Sequence, residues 1–293
     1  MTRGGFVALA GRPNVGKSTF VNAVVGEKVA IVSDRPQTTR RAIRGIHRQG
    51  DCQIVLVDLP GVQRPRDELT KRMAKRVQQE LEGSDAALLM LNGEQGVGPG
   101  DRFIAGALAG AGIRTTIALN KVDRLARGPL LAVLQEAAEL GLDAEVFPIS
   151  ARRGTGITPL VEHLGSLMPE GPFMFAPDAS SDSTLELLLA ELIREAAIRR
   201  TFQEIPHAVE VIVEEIESVR DGLTRVRALI WVETESQKGI LIGSHGRMIK
   251  AIGTAARREL ERELGCQVHL DLSVRVRRDW RADESLLDRL GIT

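Results

Sequence analysis

Tyrosine is absent from the 293 residues, and aromatic residues of all kinds make up only 3% of them. Aliphatic side chains and alanine must therefore fill the core. The charges cancel, with 39 Lys and Arg against 39 Asp and Glu. A chain without net charge is not drawn as a whole to nucleic acid or to an anionic membrane, so any such binding has to come from a local patch. The two cysteines, Cys52 and Cys266, form no CxxC pair and no zinc-type spacing. They read as free thiols in a reducing cytoplasm rather than as a long-range disulfide. No apolar run reaches the ~18 residues of a membrane-spanning helix, and the first residues carry no signal-peptide stretch. The expectation is a cytoplasmic protein with room for two domains.

Up to about residue 170, apolar strand-like runs at 6–10, 54–58, 86–91, 115–120 and 145–149 alternate with helical patterns. Such alternation predicts an α/β fold, a mostly parallel sheet with helices on both faces. Ligands of such sheets sit beyond the carboxyl ends of the strands. Residues 169–183 contain three prolines and a polar cluster, the composition of a linker. Beyond them a helical pattern from 184 to 202 is followed by alternating strands at 209–213 and 226–232, helical segments within 240–264 and a strand at 268–276. This predicts a smaller α+β domain, and the chain divides into 1–170, a linker 171–183 and 184–293.

Each motif of the first domain follows one of its strands. Gly11-Arg12-Pro13-Asn14-Val15-Gly16-Lys17-Ser18, with Thr19 next, matches the GxxxxGK[ST] phosphate loop. Its glycines let backbone N–H groups curl around phosphates, Lys17 neutralises the β- and γ-phosphates, and the Ser18 hydroxyl suits Mg²⁺. Asn120-Lys121-Val122-Asp123 selects the base. The Asp123 carboxylate can accept from guanine N1–H and from the exocyclic amine, a donor pair that adenine lacks, and leaving it unpaired is costly. Lys121 would lie along the base plane and Asn120 would tie this loop to the phosphate loop. Ser150 and Ala151 would complete the pocket with a backbone N–H to guanine O6. In Asp58-Leu59-Pro60-Gly61, Asp58 would hold the Mg²⁺ shell through water, and the Gly61 N–H would touch the γ-phosphate. Thr38 and Thr39 lie in a polar loop before the next strand, and one of them should close over the γ-phosphate. Together these motifs predict a P-loop NTPase of Ras-like fold that binds GTP or GDP and hydrolyses GTP, with Lys17, Gly61 and one of the two threonines in catalytic roles.

Many such enzymes orient the attacking water with a Gln beside the glycine of the Asp-x-x-Gly motif. Here that place holds Val62, with Gln63 one residue later. Slow intrinsic turnover is the expectation, with charge stabilised by Lys17 and Mg²⁺. Asn14 has two readings of equal standing, a ligand for a monovalent cation such as K⁺ or a tie within the phosphate loop.

In the second domain, Gly243-Ser244-His245-Gly246 is a GxxG between helical segments, the arrangement by which KH domains admit a nucleic-acid backbone. From 236 to 258 there are five basic residues, Lys238, Arg247, Lys250, Arg257 and Arg258, and no acid. A local basic stripe in a neutral domain suits single-stranded RNA. The alternative is a membrane-associated switch whose second domain binds protein or lipid.

The whole chain resembles the Era family of bacterial GTPases, within the Era/TrmE-like superfamily. The resemblance is carried by residues 11–18, Pro36-Gln37-Thr38-Thr39-Arg40, 58–61, 120–123, 239–246, 252–257 and the ending 270–280 through Trp280. It implies a type II KH domain and a monomeric factor of 30S ribosomal subunit assembly. Such a factor binds the 3′ end of 16S rRNA in its GTP state and associates peripherally with the inner membrane. It further implies Thr39 as the switch threonine on Mg²⁺, and Gly243–Gly246 with Arg247 and Lys250 as RNA contacts. The chain departs from the family at Leu59, where Thr is usual, and at Ser244-His245, where a Lys-containing pair is usual.

Overall fold

The computed structural model describes residues 1–33, 38–61, 67–202, 205–290 and 292. The first domain runs β1 (Arg3–Ala10), α1 (Lys17–Val25), β2 (Ile43–Gln49), β3 (Cys52–Asp58), α2 (Glu68–Glu82), β4 (Ala86–Asn92), α3 (Pro99–Ala111), β5 (Thr115–Asn120), α4 (Arg127–Ala138), β6 (Val146–Pro148) and α5 (Ile157–Leu167). Its sheet has the order β2-β3-β1-β4-β5-β6, parallel except where β2 runs antiparallel to β3. The central strand β4 is buried at every position, as a strand covered on both faces must be. One face packs Val7, Leu9 and Leu88 against α1 and α5. The other packs Leu89, Leu91 and Leu119 against Ile104, Ala105 and Leu108 of α3 and Ala137 of α4. The predicted layering is therefore present.

Strand β2 is absent from the apolar runs read in the sequence. It is an edge strand, and its Arg44, His47 and Arg48 interrupt the hydrophobic pattern. The proline-rich stretch does not hang free between domains. Ser180 O accepts from Ile46 N at 2.9 Å, and the Gln53 side chain accepts from Met174 N at 2.8 Å. It lies as a strap along the first domain.

The second domain runs α6 (Leu185–Ile198), the single turn α7 (Ile205–Ala208), β7 (Glu210–Arg220), β8 (Leu223–Val232), α8 (Glu235–Ile242), α9 (Arg247–Leu264), β9 (Gln267–Val276) and α10 (Glu284–Arg289). Thr184 caps α6 by accepting from Leu187 N, and Thr234 with Gln237 forms a capping box on α8, each worth about 1 kcal/mol. In the sheet β7-β8-β9, β7 is antiparallel and β9 parallel to β8. Helices α6, α8 and α9 cover one face through Leu189, Ile193, Leu241, Ile252 and Leu260. This is the helix–strand–strand–helix–helix–strand order of a type II KH domain, with α7 and α10 added.

Candidate functional site

The phosphate loop takes its shape from two glycines. Gly11 has φ +151°, and a Cβ there would sit 2.6 Å from Met90 O; Gly16 has φ +106°, and its Cβ would sit 2.2 Å from Asn120 Nδ2. Asn14 between them is also left-handed, at φ +62°. Lys17, the first residue of α1, is buried and donates to Gly11 O at 3.1 Å and Arg12 O at 3.2 Å. Its ammonium is thereby aimed along the loop. Burial lowers its pKa, against the pull of Asp58. The Arg12 side chain faces away from this cradle, paired with Asp101 of α3 at 2.9 Å; Arg12 belongs to the loop through its backbone only. Pro13, Asn14, Gly16, Ser18, Thr19, Thr39 and Gly61 line one cavity with Lys17. A Cβ on Gly61 would meet Pro13 Cγ at 2.8 Å, so the Asp-x-x-Gly segment sits directly on the phosphate loop.

Three predicted metal ligands converge beside that cavity. Ser18 Oγ donates to Asp58 Oδ2 at 2.6 Å, Thr39 Oγ1 donates to the same oxygen at 3.3 Å, and the two hydroxyls are 3.2 Å apart. Asp58 Oδ1 is buried with no hydrogen-bond partner among the described residues. An orphaned carboxylate oxygen costs free energy unless a cation or its water takes it, and burial raises the Asp58 pKa against the opposing charge of Lys17. This hard-oxygen set fits Mg²⁺. Val62 and Gln63, the positions that bear on water activation, lie outside the described residues.

The base loop is held by Asn120, which donates to Val15 O at 2.8 Å and accepts from Ala151 N at 2.9 Å. Lys121 stands at φ +66°, and Ser150 Oγ donates to Asp123 Oδ1 at 2.7 Å. That bond, before any other cause, holds the Asp123 pKa low. Ser150 N and Ala151 N already donate, to Thr155 O and to Asn120 Oδ1. A bond from either to guanine O6 would be a shared one.

The sequence reading missed the surface that receives the switch segment. Arg40 and Arg41, directly after Thr39, enter the second domain. Arg40 donates to Glu210 at 2.6 Å and to the carbonyls of Val209 and His207 at 2.7 Å each, and it lies 5.4 Å over the Trp280 ring. Arg41 donates to Glu191 at 2.8 Å and to Glu210 at 3.0 Å. Arg194 pairs with Glu191 at 2.6 Å and also donates to Thr38 O. All five charged groups are buried. Burial alone would raise the Glu210 pKa, but Arg41, Arg40 and Arg194 more than offset it and hold the carboxyl at about 2. Leu69 and Met73 of α2 pack on Trp280, Leu286, Leu287 and Leu290, so the helix after Asp-x-x-Gly is gripped as well. The one available signal was Glu191, Arg194 and Glu195 set inside an apolar helix.

In the KH domain, the GxxG geometry needs its glycines. Gly243 has φ +70° with a Cβ 2.7 Å from Met248 Cβ, and Gly246 has φ +73°. Ser244, His245, Arg247 and Lys250 are exposed around the loop. Lys238 pairs with Glu235 on α8 at 3.8 Å and stands apart from the groove. That groove, about 370 Å³, runs between α9 and the edge strand β9, lined by Ile249, Lys250, Thr254 and Arg257 facing His269 and Leu270. The β9 residues were not foreseen, because alternation alone cannot say which strand is the edge.

Phosphate loop, guanine loop and switch segment on a Ras-like sheet, joined to a type II KH fold, define a P-loop GTPase with a nucleic-acid-binding type of domain. The family model described as "50S ribosome-binding GTPase" matches residues 6–121, and a KH domain model matches 204–281. GTPase Era of Thermotoga petrophila is 44% identical over 292 residues, covering 99% of this chain and 97% of its own. GTPase Era of Mycobacterium avium is 43% identical over 294 residues, covering 99% and 98%. The chain belongs to the Era family of GTPases. A crystal structure of Era with MgGDPNP and nucleotides 1506–1542 of 16S ribosomal RNA superposes with a TM-score of 0.95 at 33% identity, covering all of both chains. A tyrosine-to-alanine variant of Aquifex aeolicus Era bound to GDP·AlF4⁻ gives 0.94 at 34%, again covering all of both chains.

Proposed function

We propose that this GTPase is a GTP-gated chaperone of the 3′ end of 16S rRNA in 30S subunit assembly. One observation carries the gating: Thr39, which shares the metal corner with Ser18 and Asp58, is flanked by Thr38, Arg40 and Arg41, all held by the KH domain. Closing Thr39 over a γ-phosphate and docking the KH domain are then one event. When bound, Mg²⁺ neutralises charge that develops on the phosphates, with Ser18, Thr39 and, through water, Asp58 as its holders. Lys17 lies along the phosphate loop, Gly61 abuts it, and Asp123 reads the base. Asn14 as a K⁺ ligand, slow intrinsic turnover, a monomeric state and a cytoplasmic location belong to the same proposal. The RNA reading is supported by the groove between α9 and β9 and by the RNA held by the solved relative.

The test is binding of an RNA copying that 3′ end, with a non-hydrolysable GTP analogue and with GDP, to the full chain and to Gly243→Asp and Gly246→Asp. Analogue-dependent binding lost in both variants is expected. Equal affinity in the two nucleotide states would remove the gating.

A further inference from the structure

The base-reading carboxylate already has a hydrogen-bond donor on one oxygen and an ion-pair partner beside the other. Ser150 Oγ holds Asp123 Oδ1 at 2.7 Å, and Arg153 Nε stands 3.4 Å from Oδ2. The Arg153 backbone is fixed independently of its side chain, since its N–H donates to Ser150 O at 3.1 Å and lies 3.2 Å from Ser150 Oγ. The Arg153 side chain is 68% exposed while that of Asp123 is 12% exposed, so the guanidinium reaches the carboxylate from the solvent side.

Guanine presents two donors to this carboxylate, N1–H and the 2-amino group, and asks for both oxygens. Hypoxanthine lacks the amino group and presents N1–H alone. A cation resting on Oδ2 therefore competes with the guanine donor that takes that oxygen, whereas a one-donor base can use the second lone pair of Oδ1, which Ser150 shares through one neutral hydrogen bond. We propose that Arg153 is a specificity-determining residue of the base pocket, an internal competitor for Asp123 Oδ2 that narrows the preference for guanine over hypoxanthine nucleotides. The proposal rests on the reading of Asp123 as the base-recognising group. Its consequence is a weaker hold on GDP than the motif residues alone would give.

The experiment measures dissociation constants of GDP and IDP, with Mg²⁺, for the full chain and for Arg153→Gln, Arg152→Gln and Asp123→Asn. Arg153→Gln should tighten GDP about two- to five-fold, the range of an exposed ion pair, and leave IDP unchanged. Its gain should shrink in 0.5 M salt, where such pairs are screened. Arg152→Gln removes the same charge one residue earlier and should leave the GDP-to-IDP ratio as it is, which excludes a general field effect on the phosphates. Equal shifts for GDP and IDP in Arg153→Gln, no shift, or a weaker GDP complex would each overturn the competitor role. Asp123→Asn tests the underlying reading separately: it should abolish the guanine preference, and a variant that kept it would overturn the assignment of Asp123 and the proposal together.

Discussion

Replacing Glu210 by Gln changes one carboxylate that faces two guanidiniums of the other domain, Arg40 at 2.6 Å and Arg41 at 3.0 Å. The cluster holds three cations, Arg40, Arg41 and Arg194, against two anions, Glu191 and Glu210, all of them buried. The substitution leaves three against one. Each carboxylate oxygen faces a different guanidinium, so a glutamine oxygen in one of those places leaves its NH2 against the donors of the other. Removing one partner of a buried ion pair costs about 3–5 kcal/mol, chiefly because the remaining charge stays buried. Here an escape exists. Arg40 and Arg41 belong to the first domain, and Glu210 opens β7 outside the apolar core of the second. Separating the domains returns both arginines to water.

The cost should therefore fall on docking rather than on the fold of either domain, shifting the docked population by roughly two to four orders of magnitude. The assay pairs interdomain distances, from spin labels on exposed positions of α4 and α8, with RNA affinity in the GTP-analogue and GDP states. Glu210→Gln should broaden the distance distribution in the analogue state and remove the difference in RNA affinity. An unchanged distance distribution with intact analogue dependence would refute the argument, as would a single global loss of stability with no domain separation.

Acid should mimic this variant. The Glu210 carboxyl is held at about 2 against an ordinary 4.5, so its contribution is complete above pH 4.5 and is lost as pH falls towards 2; domain separation followed by small-angle scattering should track that window. Lys250→Ala should weaken RNA binding by a similar factor for every sequence and lower the log–log salt slope by about 0.7, the value for one contact to a single-stranded phosphate. If Asn14 ligates K⁺, turnover should be faster in KCl than in NaCl and Asn14→Ala should erase the difference, whereas equal rates in the two salts would leave it a loop tie.

What was legible in the sequence was contiguous. Lys17, Ser18, Asn120 and Asp123 each announce their chemistry within four or eight residues, and the strands that carry them are apolar runs. The order of KH elements was legible for the same reason, through Val209, Val211 and Val213 on one strand and Val226 to Val232 on the next. Strand β2 was hidden by Arg44 and Arg48, which find partners far off in sequence: Arg44 pairs with Glu80 and Asp182, and Arg48 covers Phe173. The interdomain cluster was hidden because charge in a helix ordinarily means solvent. Arg41 meets Glu191 across 150 residues, a pairing that no local pattern encodes. Trp280 stood in the stretch that carries the family resemblance, yet its place beneath Arg40, with Nε1 donating to Ala208 O at 3.1 Å, needed the fold.

The way Arg40 is held explains why docking should be all-or-none. Its guanidinium spends most of its donors on main-chain carbonyls at the end of α7, those of His207 and Val209, with Pro206 O at 3.4 Å. Carbonyls fixed by a turn and a strand start cannot follow a moving side chain, as long carboxylates can. A shift of the switch segment by an ångström or two would therefore break these bonds together with the Glu210 pair, not one after another. Arg194 adds the same constraint from the opposite side through Thr38 O. Thr39 sits between these two anchor points, so it has no graded range of positions to explore while the domains remain docked. A metal corner built on Thr39 then senses the KH domain as a two-state element, the physical requirement for a switch rather than a tether.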